Sequence, residues 1–353
     1  MPRGELLGAP EDAVPAVERA VAQLGPKARS TIRLASEVQD WVEHCTSTAR
    51  REASRKAFDR DLKAGKRTVD MLRYPLYDYQ VEGMLHLAFG ERVMLVDDMG
   101  LGKTVQAVAA SALLKEQRSI QRVLVVCPAS LKTEWEEQIK KFTDLSMLLV
   151  FGLKHQRVQK YRQPSFFYLT NYEQILRDVR EINEVLAPDV IILDEAQRIK
   201  NWSTKTAQAV KRLASPYAFV LTGTPLENRI DEIYSITEFL DPHLFGPLFR
   251  FNREFYTLDE RGRPVGYKNL PELRRRIRPV MLRRHKDEVE DQLPERVDNN
   301  FFVGMSKEQW EPYREYEQRV ASLMQKAKKR PLTKEEHENL QKWLACMRMI
   351  CDT

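Results

Sequence analysis

The chain has 353 residues, which is enough for two or three domains. Its residues are 42% hydrophobic and 31% charged, a composition typical of a globular protein. Its formal net charge of +6 favours a polyanionic partner without requiring one, since many basic proteins bind nothing acidic. No apolar run approaches the ~18 residues that span a bilayer, and the start does not resemble a signal peptide, so we expect a cytoplasmic protein without a membrane span. The four cysteines and six histidines form no zinc pattern, so we expect no bound zinc.

The first 72 residues are predicted to form a basic helical region. Their apolar residues recur at helical spacing, and strand-like runs are few. Residues 50–73 contain nine Lys or Arg against four Asp or Glu. Two interpretations stay open: the charges form the solvated face of a helix, which is the commoner case, or they contact nucleic acid.

Residues 73–240 alternate short apolar runs with helical segments. The runs are nearly continuous in Val, Ile, Leu and Phe, which is typical of strands buried on both faces of a parallel sheet. We therefore predict an α/β lobe in which helices cover the sheet, and we expect the functional residues at the carboxyl ends of the strands. The six predicted strands lie within RVMLVDD, RVLVVCP, SMLLVFG, FFYLTNY, DVIILDE and AFVLTGT.

The sequence DDMGLGKT, residues 97–104, lies between the first predicted strand and a helix. Glycines allow such a turn to point successive backbone N–H groups at phosphate oxygens, and the helix N-terminus adds partial positive charge. Lys103 is predicted to reach the β- and γ-phosphates, and the Thr104 hydroxyl to bind Mg²⁺. The strict phosphate-loop template has glycine where Asp97 stands, so the assignment needs support from a second metal ligand. The predicted nucleotide contacts here are Asp98, Met99, Gly100, Leu101, Gly102, Lys103 and Thr104.

The sequence DVIILDEAQ supplies that second ligand, 91 residues after Lys103. Asp194 is predicted to hold Mg²⁺, usually through water, and Glu195 to orient and deprotonate the attacking water. Adjacent acids at a strand end often only cap a helix. Their order and spacing relative to the phosphate loop favour the catalytic interpretation.

A third element, AFVLTGTPLEN, places Thr222, Gly223 and Thr224 at the end of another predicted strand. Hydroxyl side chains in this position can sense a γ-phosphate and transmit its presence to neighbouring loops. Taken alone the signal is weak, because many strand-to-helix turns use Thr, Gly and Pro.

Beyond residue 240 the alternation of strands and helices stops. A turn-rich segment leads into residues 274–286, which hold seven Lys or Arg and no acid. Two helices are predicted next, from 307 to about 329 and from 334 to about 350. Residues 241–353 are therefore predicted to form helical protrusions on the first lobe rather than an independent domain.

Together these motifs resemble the ATPase motor of the second helicase superfamily, and within it the Swi/Snf-type DNA translocases. The resemblance runs from residue 76 to the end of the chain. DDMGLGKT is similar to the family's Asp-Glu-Met-Gly-Leu-Gly-Lys-Thr, and an acid is common in the family at the position of Asp97. DEAQRIKN and LTGTPLEN are similar to its motifs II and III, and LYDYQVEGMLHL to its adenine-reading segment. The resemblance implies a three-layer RecA-like lobe with a parallel sheet, adenine contact by Gln80, and a catalytic set of Lys103, Asp194, Glu195 and Gln197.

Two further segments resemble the family's DNA-tracking motifs. VCPASLKTEWEEQIKKF resembles motif Ia, and LTNYEQI resembles a second motif on the same track. In such motors, backbone amides and hydroxyls there hold phosphates of one strand, which positions the protein without reading sequence. For Trp135, in the first segment, helix packing is favoured over a nucleic-acid contact. For Ser130, a helix N-cap is an alternative that is compatible with phosphate binding.

The basic segment resembles the family's LRRTKDEV signature. Its arginines either lie along a duplex backbone or clamp acidic residues of the motor itself, and the sequence leaves both interpretations open. The nucleic-acid contacts that the resemblance implies are Pro128, Ser130, Lys132, Thr170, Asn171, Arg283, Arg284 and Lys286.

The function that the resemblance implies is ATP-driven translocation on double-stranded DNA and remodelling of protein–DNA complexes. It implies ATP and Mg²⁺ as cofactors, and association with the nucleoid if the protein is bacterial. The last residues, LQKWLACMRMICDT, resemble the segment that opens the second lobe of such motors, and that lobe supplies arginines to the transferring phosphoryl group. Hydrolysis of ATP to ADP and phosphate is therefore expected to require the second lobe and to be weak in this chain alone.

Three alternatives stay open. The chain could be a nucleotide-responsive DNA-binding module without useful turnover. It could be an RNA helicase of the same superfamily, which Gln197 and the RIKN that follows disfavour. It could also be a relative that shares the motor and recycles RNA polymerase.

Overall fold

The computed structural model describes residues 19–26, 36–69, 71–223, 230–259, 263–293 and 303–352. The chain divides into two compact units, residues 1–293 and residues 294–353. The first unit contains the sheet and the predicted nucleotide site, and the second contains two helices.

A seven-stranded sheet, parallel throughout, forms the centre of the first unit. Its strands are β1 (Arg92–Leu95), β2 (Val123–Cys127), β3 (Met147–Leu149), β4 (Phe167–Asn171), β5 (Val190–Leu193), β6 (Tyr217–Leu221) and β9 (Met281–Leu282). The order across the sheet is β3-β4-β2-β5-β6-β1-β9, and a separate antiparallel hairpin pairs β7 (Tyr256–Leu258) with β8 (Pro264–Tyr267). The predicted α/β fold and all six predicted strands are confirmed, and β9 is an addition.

The strands have apolar side chains on both faces because both faces are covered. Along β2, Val123 and Val125 pack on one side of the sheet, whereas Leu124 and Val126 pack on the other, and the whole strand is buried. A strand covered on both faces has no polar side, which accounts for the continuous apolar runs in the sequence.

Helices cover the two faces, so the unit has three layers. On one face lie α1 (Ser36–Lys63), α2 (Asp78–Gly90), α3 (Lys103–Arg118) and α4 (Lys132–Phe142). On the other lie α5 (Lys154–Arg162), α6 (Tyr172–Glu181), α7 (Lys205–Lys211) and α8 (Ile230–Leu240). The remaining helices of the unit are α9 (Leu248–Phe255) and α10 (Leu270–Ile277). Within the described residues no helix has the length and apolar character needed to cross a membrane.

The first unit extends past the domain boundary that the sequence predicts after residue 240. The chain returns to the sheet beyond that point: β9 pairs with β1, with Met94 opposite Met281 and Leu95 opposite Leu282. β9 thereby becomes the edge strand of the sheet beside β1, and residues 281–293 belong to the first compact unit.

The N-terminal helix α1 also belongs to the first unit, although residues 1–72 are predicted as a separate region. Phe58 is buried in the core cluster of one sheet face. Arg51 donates a hydrogen bond from Nη1 to the backbone oxygen of Gly90, at the end of α2, at 3.0 Å.

The second unit consists of α11 (Lys307–Ala327) and α12 (Lys334–Cys351). Each helix begins with a capping box, in which Ser306 or Thr333 accepts a hydrogen bond from the backbone N–H three residues later. Both helices predicted for this part of the chain are confirmed, and each predicted end lies within two residues of the observed one.

Candidate nucleotide-binding site

Three loops at the carboxyl edge of the sheet form the candidate site. They follow β1, β6 and β5, which are neighbours in the sheet, so the loops begin side by side. The loop after β1 contains residues 97–102, the loop after β5 begins with Asp194 and Glu195, and the loop after β6 begins with Thr222 and Gly223. The structure thus brings together the three segments that the sequence predicts as one site.

The loop after β1 has the backbone of a phosphate cradle. Gly100 and Gly102 have positive φ values of 88° and 71°, which glycine adopts without strain. Gly102 is the N-cap of α3, where the first N–H groups of the helix have no partner within it and the helix dipole is positive. An anion is therefore favoured here even though the loop lacks the first glycine of the strict template.

The Lys103 ammonium lies inside this loop. Its Nζ donates hydrogen bonds to the backbone oxygens of Asp97 at 2.8 Å and Asp98 at 3.1 Å. A Cβ on Gly223 would lie 2.9 Å from the same Nζ and 2.9 Å from Met99 Cγ, so any larger residue there would displace these two side chains. Burial lowers the pKa of Lys103, and the neighbouring carboxylates counteract part of that change.

Asp194 follows β5, and its oxygens accept three described hydrogen bonds. Its Oδ1 accepts from the backbone N–H of Glu195 at 2.9 Å, and its Oδ2 from the indole Nε1 of Trp135 at 2.7 Å. The hydroxyl of Tyr172 donates to its backbone oxygen at 2.8 Å. Burial raises the pKa of Asp194, whereas the bond from Trp135 favours the carboxylate. These contacts fix the direction of a carboxylate that the sequence predicts as a metal ligand.

Glu195 is connected to the third loop through Gln197. The backbone of Glu195 has a positive φ of 51°, which is uncommon outside glycine and clusters at functional sites. Gln197 donates from Nε2 to the Glu195 carboxylate, and its Oε1 accepts from the Thr222 hydroxyl at 3.2 Å. This bridge gives a physical route for coupling between the loops after β5 and β6. Thr224, the third predicted coupling residue, lies outside the described residues.

The oxygens of Thr104 and Asp194 suit Mg²⁺, which prefers hard oxygen ligands. Thr104 is the second residue of α3, next to Lys103, and the carboxylate of Asp194 has a fixed orientation. In the described parts of the chain no three His, Cys, Asp or Glu side chains form a group that could hold a metal. Mg²⁺ typically takes one or two protein ligands together with nucleotide phosphates, whose charge it neutralises there.

Asp97, which stands at the first glycine of the template, is fully buried and paired with Arg284. The guanidinium reaches both carboxylate oxygens, with Nη2 2.5 Å from Oδ2 and Nε 3.1 Å from Oδ1. The side-chain amide of Gln106 and the backbone N–H of Arg284 donate to the same carboxylate. Because Arg284 is buried, the prediction that it contacts nucleic acid is wrong. It clamps an acid of the motor, which is the second interpretation left open for this segment.

Residues 281–293, which we call the loop brace, hold the phosphate loop at further points. The backbone N–H of Lys286 donates to the carboxylate of Asp98 at 3.1 Å. Val289 packs against Leu101 in a small apolar cluster. The brace therefore supports the loop from the edge of the sheet, a role that the sequence does not reveal.

The remaining predicted nucleotide contacts lie around the loop. Gln80 is buried, and its Nε2 would lie 2.6 Å from a Cβ on Gly102. The Gln80 Oε1 accepts the backbone N–H of Tyr77 at 3.2 Å. Met99 is exposed, whereas Leu101 is fully buried and can offer only its backbone to a ligand. Adenine contact by Gln80 stays a prediction.

The candidate DNA-tracking residues at the ends of β2 and β4 lie next to each other. Lys132 donates from Nζ to Asn171 Oδ1 at 2.9 Å and to Gln174 Oε1 at 3.3 Å, which joins the two segments. Ser130 is exposed and available to a phosphate. Thr170 is fully buried and its hydroxyl donates to Gln174 at 2.7 Å, which leaves its backbone for a ligand, so its contact with nucleic acid stays a prediction.

The predicted nucleic-acid contacts fall into two separate groups. Pro128 and Ser130 follow β2 and Asn171 ends β4, whereas Arg283 and Lys286 follow β9 at the opposite side of the sheet. Neighbouring strands lie about 4.8 Å apart, so roughly 24 Å separates β4 from β9. The ammonium of Lys286 lies near the phosphate loop. The second group is thus on the nucleotide side of the lobe.

The first unit has three layers with a parallel sheet at the centre. A glycine loop and a lysine follow one strand, and paired acids follow another. These features define a RecA-like lobe of the phosphate-loop class. A family model described as "SNF2-related domain" matches residues 79–353. The chain belongs to this family, and the predicted resemblance to Swi/Snf-type ATPases is confirmed.

The relatives are consistent with this membership. The chain is 35% identical, over 66% of its length, to YwqA of Bacillus subtilis strain 168, which is named as an ATP-dependent helicase/translocase. It is 33% identical, over 68% of its length, to helicase ssl-1 of Caenorhabditis elegans. It spans only 26% and 11% of those two proteins. Among solved structures it matches the SWI2/SNF2 ATPase core of Sulfolobus solfataricus in complex with dsDNA, with a TM-score of 0.57, 32% identity, and coverage of 79% of this chain and 59% of that chain.

Proposed function

We propose that this chain is the ATP-binding lobe of a Swi/Snf-type translocase that moves on double-stranded DNA and remodels protein–DNA complexes. One arrangement carries the proposal. Lys103, Asp194 and Glu195 converge at one edge of the sheet, and Gln197 links Glu195 to Thr222. A site that only stored a nucleotide would not need a candidate base linked to a third loop.

Each residue has a distinct role in this proposal. Lys103 and the loop amides bind the phosphates, and Thr104 and Asp194 hold Mg²⁺. Glu195 orients the attacking water and accepts its proton, and Gln197 passes the state of the site to Thr222. The Arg284–Asp97 pair keeps the phosphate loop in place without touching the nucleotide.

Duplex DNA as the track is supported by the Sulfolobus core, whose structure contains dsDNA. The residues that face it are the group at the ends of β2 and β4, including the exposed Ser130. In relatives of this kind a second lobe contributes arginines to the transferring phosphoryl group, and we propose that hydrolysis here depends on such a lobe.

ATP turnover tests the proposal when it is measured on this chain alone and on a version continued through a second motor lobe, each with and without duplex DNA. We expect strong DNA stimulation in the extended version and little turnover in the 353-residue chain. Strong DNA-stimulated turnover by this chain alone would contradict the requirement for a second lobe. RNA that stimulated better than duplex DNA would favour an RNA helicase.

Glu195→Gln is expected to lower turnover of the extended version by about 100- to 10,000-fold, because glutamine keeps the size of the side chain but cannot accept a proton. Affinity for an ATP analogue should stay close to that of the wild type, since Lys103 and the loop are unchanged. Initial-rate kinetics and equilibrium titration measure the two quantities. Glu184→Gln, at an exposed acid of the same lobe, is the control. Full turnover in Glu195→Gln would exclude Glu195 as the base.

Binding of this chain to a short DNA duplex is expected to weaken as salt rises, because phosphate contacts release condensed counterions. With about three phosphate contacts the affinity falls about 40-fold between 50 and 200 mM salt. Fluorescence anisotropy measures the slope. Ser130→Ala should weaken binding, and Thr133→Ala, at an exposed hydroxyl nearby, should not. An affinity that does not change with salt argues against a phosphate track.

A further inference from the structure

Two buried aromatic side chains connect the candidate DNA-tracking segments to the candidate metal ligand. Trp135 of α4 is 1% exposed and donates its indole N–H to Asp194 Oδ2 at 2.7 Å. Tyr172, the first residue of α6, is 2% exposed and donates its hydroxyl to the Asp194 backbone oxygen at 2.8 Å. A phenylalanine would fill most of either position without donating, so the polar atoms do something that packing alone does not.

Both side chains are close in sequence to the predicted phosphate contacts. Trp135 follows Lys132 by three residues of helix, a rise of ~4.5 Å, and Tyr172 directly follows Asn171. The bond from Lys132 Nζ to Asn171 Oδ1, at 2.9 Å, ties α4 to the start of α6. A shift of either segment on DNA therefore reaches Asp194 through packed, buried contacts.

We propose that Trp135 and Tyr172 are positioning residues that couple DNA contact to the binding of magnesium–nucleotide at Asp194. The inference rests on the function proposed above. Trp135 acts on the carboxylate itself. Its N–H donates to one lone pair of Asp194 Oδ2, and the remaining lone pairs of the carboxylate stay available for the metal or for a water bound to the metal. Tyr172 acts on the backbone, where the chain turns from Asp194 into the positive φ of Glu195.

The carboxylate of Asp194 is held from both sides. Glu195 N–H bonds Oδ1 and Trp135 bonds Oδ2, so rotation of the carboxylate breaks at least one hydrogen bond. Groups that orient a metal ligand in this way typically change metal affinity by about 10- to 100-fold. Coupling between two binding sites is reciprocal, so DNA and magnesium–nucleotide strengthen each other's binding by the same factor.

The test uses the 353-residue chain and measures the affinity of a fluorescent ATP analogue with Mg²⁺ or EDTA, each with and without a short DNA duplex. Trp135→Phe and Tyr172→Phe are expected to keep the affinity in EDTA and to lose about 10- to 100-fold in Mg²⁺. In both variants the duplex should no longer raise the affinity for magnesium–nucleotide. The split between EDTA and Mg²⁺ is the result that a purely structural role does not give.

Ile139→Val is the matched control for packing. Ile139 is fully buried in the same helix as Trp135, and its side chain cannot donate a hydrogen bond. Circular dichroism checks that each variant folds, and Tyr172→Phe, which removes one hydroxyl only, decides the matter if Trp135→Phe does not fold. An equal loss in EDTA and Mg²⁺, or the same loss in Ile139→Val, would overturn the proposal.

The wild-type titrations separate this inference from the proposed function. If neither Mg²⁺ nor duplex DNA changes the affinity of the wild-type chain for the analogue, the proposed function fails first. If the wild type shows both effects and the two phenylalanine variants keep them, only the coupling role of Trp135 and Tyr172 is refuted.

Discussion

Replacing Asp97 by glycine is expected to destabilise the protein by about 3–5 kcal/mol, although it restores the glycine of the strict phosphate-loop template. The substitution removes the carboxylate that the buried Arg284 guanidinium contacts at 2.5 and 3.1 Å. The guanidinium keeps its contacts with Tyr79, Gln106 and the exposed Glu82 but loses its only fully buried carboxylate among the described residues, so most of the attraction that offsets its desolvation is lost. Asp97 does not have a positive φ, so glycine relieves no backbone strain in exchange.

Urea denaturation followed by circular dichroism measures this loss. Arg274→Ala is the control, because Arg274 is exposed in the same basic sequence and its removal should change the free energy of unfolding by less than about 0.5 kcal/mol. The double variant Asp97→Leu with Arg284→Met removes both charges and should recover much of the stability. If Asp97→Gly unfolds at the same urea concentration as the wild type, the pair does not stabilise the lobe.

The same ion pair shows where prediction from sequence ends. Local sequence patterns are sufficient to predict β1 to β6, whose apolar runs are continuous, and to predict the phosphate loop from the glycines before Lys103. Arg284 instead contacts a residue 187 positions earlier, and the strand that brings it there, β9, has only two residues. Periodicity cannot detect so short a strand. Charge density alone cannot distinguish a buried ion pair from a surface for phosphates.

At the candidate site, the sequence predicts the metal ligand Asp194 but not all of the contacts that hold it. Asp194 and Glu195 are predictable because acids follow a buried strand, and the preference for helix packing of Trp135 is confirmed by its burial. The bond from Trp135 to Asp194 is not predictable, since the two are 59 residues apart and meet only when β2 and β5 pair. One signal was present: a buried indole N–H usually finds an acceptor, and the ends of parallel strands offer few.

Replacing Lys103 by alanine is expected to lower the affinity for an ATP analogue by about 100-fold, because a charge-assisted hydrogen bond contributes about 1.5–3 kcal/mol and each 1.4 kcal/mol changes affinity about tenfold. The fold should remain intact. In the structure the Lys103 ammonium bonds only to the backbone oxygens of Asp97 and Asp98 in its own loop, among the described hydrogen bonds. Those bonds hold no element of the core together.

Calorimetric titration in Mg²⁺ and in EDTA distinguishes the role of Lys103 from that of Trp135. Lys103 acts on the phosphates directly, so its loss should weaken binding in both conditions, whereas Trp135→Phe should weaken it in Mg²⁺ only. Lys115→Ala is the control: Lys115 is exposed on the same helix, with its ammonium over the ring of Phe166. Unchanged affinity in Lys103→Ala would refute the phosphate site. A loss confined to Mg²⁺ would show that the lysine acts through the metal rather than directly on the phosphates.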